Sequence, residues 1–253
     1  MAFDPTFARD VALPLAQAAY TVMGGNTAAL PAGYSQTSLI QADAVMLTAM
    51  PNPHPAVTAM TNNTNIFGLM GQNPASRTAF VSFRGTSDLA EWIADIDAIP
   101  DDYRPISGFG QVHSGFQEVY QLVRNNIATH LSAAVAGCDQ ILITGHSLGA
   151  ALAVLAAPDI AQNMPPNTIE PRLITFAGPR VGVSEFAEKF NAAIESCFRV
   201  VNFLDIVPLL PPAPYVHVGA QISVDSGGQA QLGWRHSLAA YQQGLSAFIA
   251  AQP

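Results

Sequence analysis

The sequence predicts an α/β fold in which a mostly parallel central sheet is covered by helices on both faces. From residue 140 onward, short apolar segments rich in β-branched residues alternate with segments of helical periodicity. The strand candidates are apolar throughout, which is typical of parallel strands buried on both faces. A length of 253 residues suits one α/β domain with a sizeable core, so we expect a single domain over residues 1–253.

The first half of the chain contains fewer regular patterns. Residues 5–23 and 116–135 have apolar residues at helical spacing, and residues 66–72 and 78–83 predict strands. Two stretches rich in glycine, asparagine and proline predict loops: 24–38 and 51–65.

Strands and helices alternate in the second half. The predicted strands are 140–145, 172–178, 198–204 and 216–225, and the predicted helices are 148–156, 183–196 and 236–250. Open sheets of this kind bind ligands beyond the carboxyl ends of their strands. We therefore expect reactive side chains directly after strands.

The low charge of the chain excludes several classes of partner. Charged residues make up 11%, the formal net charge is −8, and Lys189 is the only lysine. Nucleic-acid binding needs a basic surface, and so does docking on anionic lipid, so neither is expected. Two cysteines, Cys138 and Cys197, form neither a disulfide framework nor a zinc site.

Neither a leader nor a membrane span is predicted. The first ten residues place Asp4, Arg9 and Asp10 where a signal peptide needs a basic start and an apolar stretch. This fits either a cytoplasmic protein or the mature form of a secreted one. The longest run of small apolar residues, Leu148 to Pro158, is too short to cross a bilayer.

Ser147 lies in the segment TGHSLGAALA, with glycines two positions to either side. A predicted strand ends just before it and a predicted helix begins just after it, which is the context that a nucleophile elbow requires. Side chains at Gly145 and Gly149 would collide with the strand and helix across such a sharp turn. A chance G-x-S-x-G match is the alternative, but this context favours Ser147 as a nucleophile.

A serine nucleophile needs a base, and the base needs an orienting carboxylate. The chain order in folds with this elbow is serine, acid, histidine. Asp205 directly follows the predicted strand 198–204 and is the favoured acid. The alternatives are Asp159, Glu170 and Asp225.

Two histidines follow Asp205. His236 lies where a loop meets the last predicted helix, and a base swings most easily from a loop, so His236 is favoured. His217 falls inside the predicted strand 216–225, where a packed histidine is the more common role. His146 adjoins the nucleophile, and we expect its side chain to point elsewhere and pack.

Seven segments match the motifs of one family in that family's order. They are FRGT at 83–86, EWIADID at 91–97, VHSGF at 112–116, GHSLGA at 145–150, FAGPRVG at 176–182, VNFLDIVPLLPP at 201–212 and RHSLAAY at 235–241. Together they resemble the class 3 lipases, which have the α/β-hydrolase fold and include filamentous-fungal lipases and a feruloyl esterase branch. AQAAY at 16–20 is similar to the family's N-terminal helix.

The resemblance implies a complete catalytic site. Ser147 is the nucleophile, Asp205 the orienting acid and His236 the base by this comparison. Thr86 takes the family's oxyanion position, and the backbone N–H of Leu148 completes the oxyanion hole. No cofactor is implied, and no histidine or cysteine cluster has metal-ligand spacing, so a metal-dependent hydrolase is not expected.

Residues 87–98 are similar to the family's lid. Leu89, Trp92 and Ile93 lie on one face of a predicted helix, together with Ile96, and Asp88 precedes them. We expect Asp88, Leu89, Trp92 and Ile93 to form lid or substrate contacts. An ordinary core-facing helix is the alternative.

The leading functional prediction is a serine carboxylic ester hydrolase that acts on acylglycerols at an oil–water interface. A feruloyl-type esterase, a short-chain esterase and a phospholipase A1 would use the same three residues. A non-catalytic binding protein on the same fold is a further alternative, because a fold does not determine a function.

Overall fold

The computed structural model describes residues 2–62, 64–86, 93, 99–164 and 169–252. Its strands are β1 (Ser35–Gln41), β2 (Ile66–Asn73), β3 (Thr78–Phe83), β4 (Pro100–Asp102), β5 (Gln111–His113), β6 (Gln140–His146), β7 (Glu170–Phe176), β8 (Ser196–Asn202) and β9 (Ala220–Val224). Its α-helices are α1 (Pro5–Phe7), α2 (Leu13–Met23), α3 (Ala44–Thr48), α4 (Pro55–Thr61), α5 (Ser114–Ala134), α6 (Leu148–Asn163), α7 (Ser184–Ala193), α8 (Leu232–Arg235) and α9 (Leu238–Ala250). A π-helical turn, Ala8–Ala12, joins α1 to α2.

A seven-stranded sheet forms the centre of the protein, in the order β1-β2-β3-β6-β7-β8-β9. The pairs β1–β2 and β2–β3 are antiparallel, and every pair from β3 to β9 is parallel. The carboxyl ends of β3, β6, β7 and β8 therefore meet at one edge. This arrangement confirms the predicted mostly parallel α/β fold.

Helices cover both faces of the sheet. One face packs mainly against α5 and α6, and the other packs against α2 and α9, each through its own buried apolar cluster. Because both faces of the central strands are covered, their residues are mostly apolar and do not alternate between apolar and polar. The expectation of one domain over residues 1–253 stays a prediction.

Two of the predicted loops contain regular structure. Residues 35–41 form the edge strand β1, which begins inside the predicted loop 24–38, where the exposed Ser35, Gln36 and Thr37 have the polarity of a loop. Residues 55–61 form α4, which starts with Pro55 and is capped by His54, whose ring accepts the Ala56 N–H at 3.0 Å. Proline at the first helical position is favoured because its missing N–H has no partner there.

Two predicted boundaries in the second half differ most from the structure. The predicted strand 216–225 is limited to β9, because Gly219 has a φ of +63° and interrupts the extended backbone before it. His217 therefore lies outside the strand. The predicted helix 148–156 extends through Pro158 to Asn163, since burial of nearly its whole length compensates for the missing hydrogen bond at the proline.

Both cysteines are free and buried, as the sequence predicts. Cys138 precedes β6 and Cys197 lies in β8, and β7 lies between these two strands. Burial raises the pKa of both thiols, to about 12 for Cys197. No helix within the described ranges is long and apolar enough to cross a membrane.

We expect a thiol reagent such as DTNB to react slowly with the native protein, because burial hides both sulfurs and disfavours the reactive thiolate. In denaturant without reductant, two groups per chain should react. Fewer than two would indicate a disulfide and contradict this arrangement.

Candidate active site

Ser147 occupies a strained turn between β6 and α6. Its φ is +59° and its ψ is −130°, a backbone conformation that non-glycine residues rarely adopt. The Ser147 N–H donates to the Phe176 carbonyl at 3.0 Å. A Cβ at Gly145 would lie 2.3 Å from the Gly149 carbonyl oxygen, and one at Gly149 would lie 2.4 Å from that of Phe83. Both glycines are thus required by close packing, as the sequence predicts.

Asp205 and His236 form a buried pair. The Nδ1 of His236 lies 3.1 and 3.0 Å from the two carboxylate oxygens of Asp205. Asp205 also accepts from the Tyr241 hydroxyl at 2.7 Å and from the Val207 N–H at 3.1 Å. A carboxylate only accepts hydrogen bonds, so Nδ1 of His236 is the protonated nitrogen.

The second ring nitrogen of His236 has the properties that a base requires. With the proton on Nδ1, Nε2 holds a lone pair. This nitrogen is buried and has no hydrogen-bond partner within the described ranges. No hydrogen bond from the Ser147 hydroxyl to His236 or to any other described residue forms in this structure. Such bonds are often long in free enzymes and shorten when substrate binds.

His146 links the strand that precedes Ser147 to His236. Its Nε2 lies 2.7 Å from the His236 carbonyl, and its Nδ1 lies 2.9 Å from the Tyr20 hydroxyl of α2. Burial and the neighbouring His236 lower the pKa of His146 well below its usual value, so the ring is neutral. It donates from Nε2 and accepts at Nδ1. The His146 side chain is buried, as the sequence predicts, but it contacts His236 instead of pointing away from the site.

Thr86 follows β3 and reaches the same edge of the sheet. Its hydroxyl donates to the Ala59 carbonyl of α4 at 3.3 Å. The preceding Gly85 lies against Ser147, since a Cβ there would lie 3.0 Å from the Ser147 Cβ. Leu148 is the first residue of α6, so its N–H has no acceptor within the helix.

The predicted lid falls almost entirely on residues whose structure is not described. Asp88, Leu89 and Trp92 lie outside the described residues, as does most of the segment 87–98. Ile93 is described, and it is half-buried against the apolar cluster on the α5 and α6 face. The lid stays a prediction.

The alternative acids have other partners. Asp159 is fully buried and binds Arg124 at 2.7 Å, within α6 rather than at the end of a strand. Asp225 is largely exposed and binds Arg235 at 2.8 Å. Glu170 is exposed and starts β7, at the opposite edge of the sheet from Ser147. Asp205 alone among these four contacts a histidine in the described parts of the chain.

His217 bonds to a backbone carbonyl. Its Nε2 lies 2.7 Å from the Pro208 carbonyl, so that nitrogen donates and cannot accept a proton from a substrate or nucleophile. Burial and, to a smaller degree, the charge of Arg199 lower the pKa of His217 to about 4. These contacts favour His236 over His217 as the base.

An exposed apolar segment surrounds Asp205. Six large hydrophobic side chains within the described ranges are strongly exposed, and four of them lie between residues 203 and 209. We call these four the acid-loop patch: Phe203, Leu204, Ile206 and Leu209. They line a shallow pocket of about 370 Å³ together with residues of β8 and β9.

Comparisons with known proteins place the chain in a family. The class 3 lipase family profile, "Lipase (class 3)", matches residues 80–215. A Rhizomucor miehei lipase is 36% identical over 158 residues, which cover 60% of this chain and 43% of that protein. Phospholipase A1-II 3 of Oryza sativa subsp. indica is 34% identical over 217 residues, which cover 70% of this chain and 51% of that protein. The chain thus spans about half the length of the curated relatives it matches, or less.

A solved structure extends the likeness to most of the fold. The Rhizomucor miehei triacylglyceride lipase superposes with a TM-score of 0.66 at 26% identity, covering 87% of this chain and 78% of that chain. The shared fold is the α/β-hydrolase fold. The class 3 lipase family profile covers more than half of this chain, which therefore belongs to the class 3 lipase family.

Proposed function

We propose that the protein is a serine carboxylic ester hydrolase with Ser147 as nucleophile, His236 as base and Asp205 as orienting acid. The observation that supports this most strongly is the buried Asp205–His236 pair, which leaves a lone pair on Nε2 in the site that contains the strained Ser147. A serine hydroxyl is a weak nucleophile without such a base.

The proposed reaction has two halves. Ser147 Oγ attacks the ester carbonyl carbon while Nε2 of His236 takes the hydroxyl proton. The tetrahedral oxyanion is bound by the Leu148 N–H and by Thr86. His236 then protonates the leaving alcohol, and an acyl-enzyme remains on Ser147. Water, deprotonated by His236, releases the acid and restores the serine.

The Thr86 hydroxyl can donate to the oxyanion only after it has rotated. It donates to Ala59 in this structure, so its rotation toward the substrate oxygen has to break that bond. The Thr86 N–H does not depend on this rotation. We therefore assign the larger part of oxyanion binding to the backbone donors.

Acylglycerols are the proposed substrate class. The acid-loop patch places four exposed apolar side chains beside Asp205, and low charge leaves the protein without an attraction for anionic surfaces. Relatives named lipase and phospholipase A1 both support a lipid ester as the substrate. Phospholipase A1 activity is the second candidate, because 34% identity joins this chain to such a relative.

Three substrates separate these activities. We expect hydrolysis of emulsified triglyceride, with the rate rising steeply once the substrate exceeds its solubility. Faster release of fatty acid from phosphatidylcholine vesicles would assign phospholipase activity instead. Activity limited to dissolved short esters, such as p-nitrophenyl acetate, would contradict a lipase and indicate an esterase.

The acid-loop patch gives a second test of the lipid substrate. Phe203→Ser combined with Leu209→Ser should lower the rate on emulsified triglyceride at least about tenfold, because apolar contact with the lipid surface contributes about 25 cal/mol per Å². Hydrolysis of dissolved p-nitrophenyl acetate should stay nearly unchanged. Val45→Ser is the matched control, since Val45 is 77% exposed on α3. Helix α3 directly follows β1, which lies at the opposite end of the sheet from β9. Equal losses on both substrates would contradict a role in lipid contact.

A further inference from the structure

Arg84 is a buried cation that donates to three backbone carbonyls, and its guanidinium also contacts the Met60 Sδ and the Phe67 ring. Its side chain is among the largest that are fully enclosed, with 1% exposed. Nε donates to the Ile66 carbonyl at 2.7 Å, Nη1 to the Gly85 carbonyl at 2.9 Å and Nη2 to the Met60 carbonyl. Within the described ranges no carboxylate pairs with it. Burial lowers its pKa to about 10, so it stays charged at neutral pH.

The three carbonyls belong to three different segments around the site. Met60 is in α4, Ile66 begins β2 and Gly85 directly follows Arg84 itself. Two of these bonds hold the guanidinium to regular structure, so it is a fixed support for the third. A rigid planar group with several donors can bind three acceptors in this way, whereas an ammonium group cannot reproduce the arrangement.

Gly85 lies against the nucleophile's turn. A Cβ at this position would lie 2.6 Å from the Tyr20 hydroxyl and 2.9 Å from the His146 carbonyl oxygen, besides its contact with Ser147. The peptide bond between Gly85 and Thr86 is therefore at the reacting centre. In a planar trans peptide the C=O and the following N–H point in opposite directions. A bond that fixes the Gly85 carbonyl also fixes the direction of the Thr86 N–H.

We propose that Arg84 is a positioning residue for the oxyanion hole. By holding the Gly85 carbonyl, it sets the plane of the Gly85–Thr86 peptide and aims the Thr86 N–H at the substrate oxygen. Arg84 itself does not touch the substrate. This inference rests on the proposed ester hydrolase function, and it gives a role to a buried charged side chain that is bonded to backbone carbonyls.

The test compares Arg84→Lys and Arg84→Met with Arg199→Lys. Arg199 is the matched control because it is also buried and donates to a backbone carbonyl, that of Val218 at 2.7 Å. Each variant is titrated with a fluorophosphonate to count active serines, and kcat and KM for dissolved p-nitrophenyl butyrate are expressed per titrated site. Binding of phenylboronic acid, which forms a tetrahedral adduct with a catalytic serine, is measured in parallel.

We expect kcat to fall about tenfold in Arg84→Lys and about a hundredfold in Arg84→Met, because a misplaced oxyanion donor loses much of its effect. KM should change less than twofold, and boronate affinity should fall with kcat. Arg199→Lys should retain kcat per titrated site. Partial recovery in the lysine variant distinguishes positioning from simple loss of folded protein.

Two results would overturn the proposal. One is Arg84→Met with an unchanged kcat per titrated site, and the other is a raised KM with kcat and boronate affinity intact. If Arg84→Met fails to fold, the lysine variant gives the same comparison. A wild-type protein that neither hydrolyses esters nor reacts with the fluorophosphonate would refute the proposed function instead, which is a separate outcome.

Discussion

Ser147→Ala is expected to lower kcat/KM for dissolved p-nitrophenyl butyrate by about 10⁴-fold or more, because the reaction loses its nucleophile. The fold should be retained, since Ser147 anchors its turn through a backbone N–H rather than through its side chain. His236→Ala should cause a loss of similar size. Circular dichroism and the unfolding midpoint of each variant separate lost chemistry from lost structure.

The double variant Ser147→Ala with His236→Ala should be little worse than either single variant, because residues that act as one unit lose rate non-additively. His217→Ala is the matched control, a half-buried histidine bonded to a carbonyl rather than to a carboxylate. It should keep most activity. An inactive His217→Ala together with an active His236→Ala would mean that the base is wrongly assigned.

Asp159→Ala is expected to lower the free energy of unfolding by about 3 kcal/mol, because the buried Tyr120 hydroxyl and the half-buried Arg124 guanidinium lose their acceptor. Asp159 accepts from Arg124 at 2.7 and 2.9 Å, from the Tyr120 hydroxyl at 2.7 Å and from Asn163 at 2.7 Å. Urea unfolding followed by fluorescence measures the change.

The activity of Asp159→Ala per titrated serine should stay near that of the wild type, whereas Asp205→Ala should lose activity. Asp139→Ala is the control for stability, because Asp139 pairs with Arg77 on the surface and both side chains are more than half exposed. Exposed pairs contribute little. A stable but inactive Asp159→Ala would indicate that Asp159, and not Asp205, acts in catalysis.

Much of the fold could be predicted because the central strands and their helices have strong local patterns. The boundaries of β3 agree with the predicted strand 78–83, and β6, Ser147 and α6 follow each other as the elbow motif requires. The misassigned elements lack such patterns. Strand β1 is polar on its exposed side, and α4 begins within a proline cluster that also suits a turn.

The candidate site was predicted in part. From the residues alone, three other acids competed with Asp205 and one other histidine competed with His236. The family resemblance then favoured Asp205 as the acid and His236 as the base. Contacts between distant residues could not be predicted locally: Tyr20 and His146 are 126 positions apart, and Tyr241 and Asp205 are 36 apart. The role of Arg84 was also missed, because FRGT shows an arginine without showing that it is buried among carbonyls.

Fluorophosphonate labelling followed by intact mass and peptide mapping tests the central claim most directly. We expect one adduct per chain, on Ser147, with loss of ester hydrolysis in proportion to labelling. Ser147→Ala should not be labelled, and His236→Ala should be labelled far more slowly, because the serine then lacks its base. Stoichiometric labelling of another residue, or full ester hydrolysis by Ser147→Ala, would contradict the account.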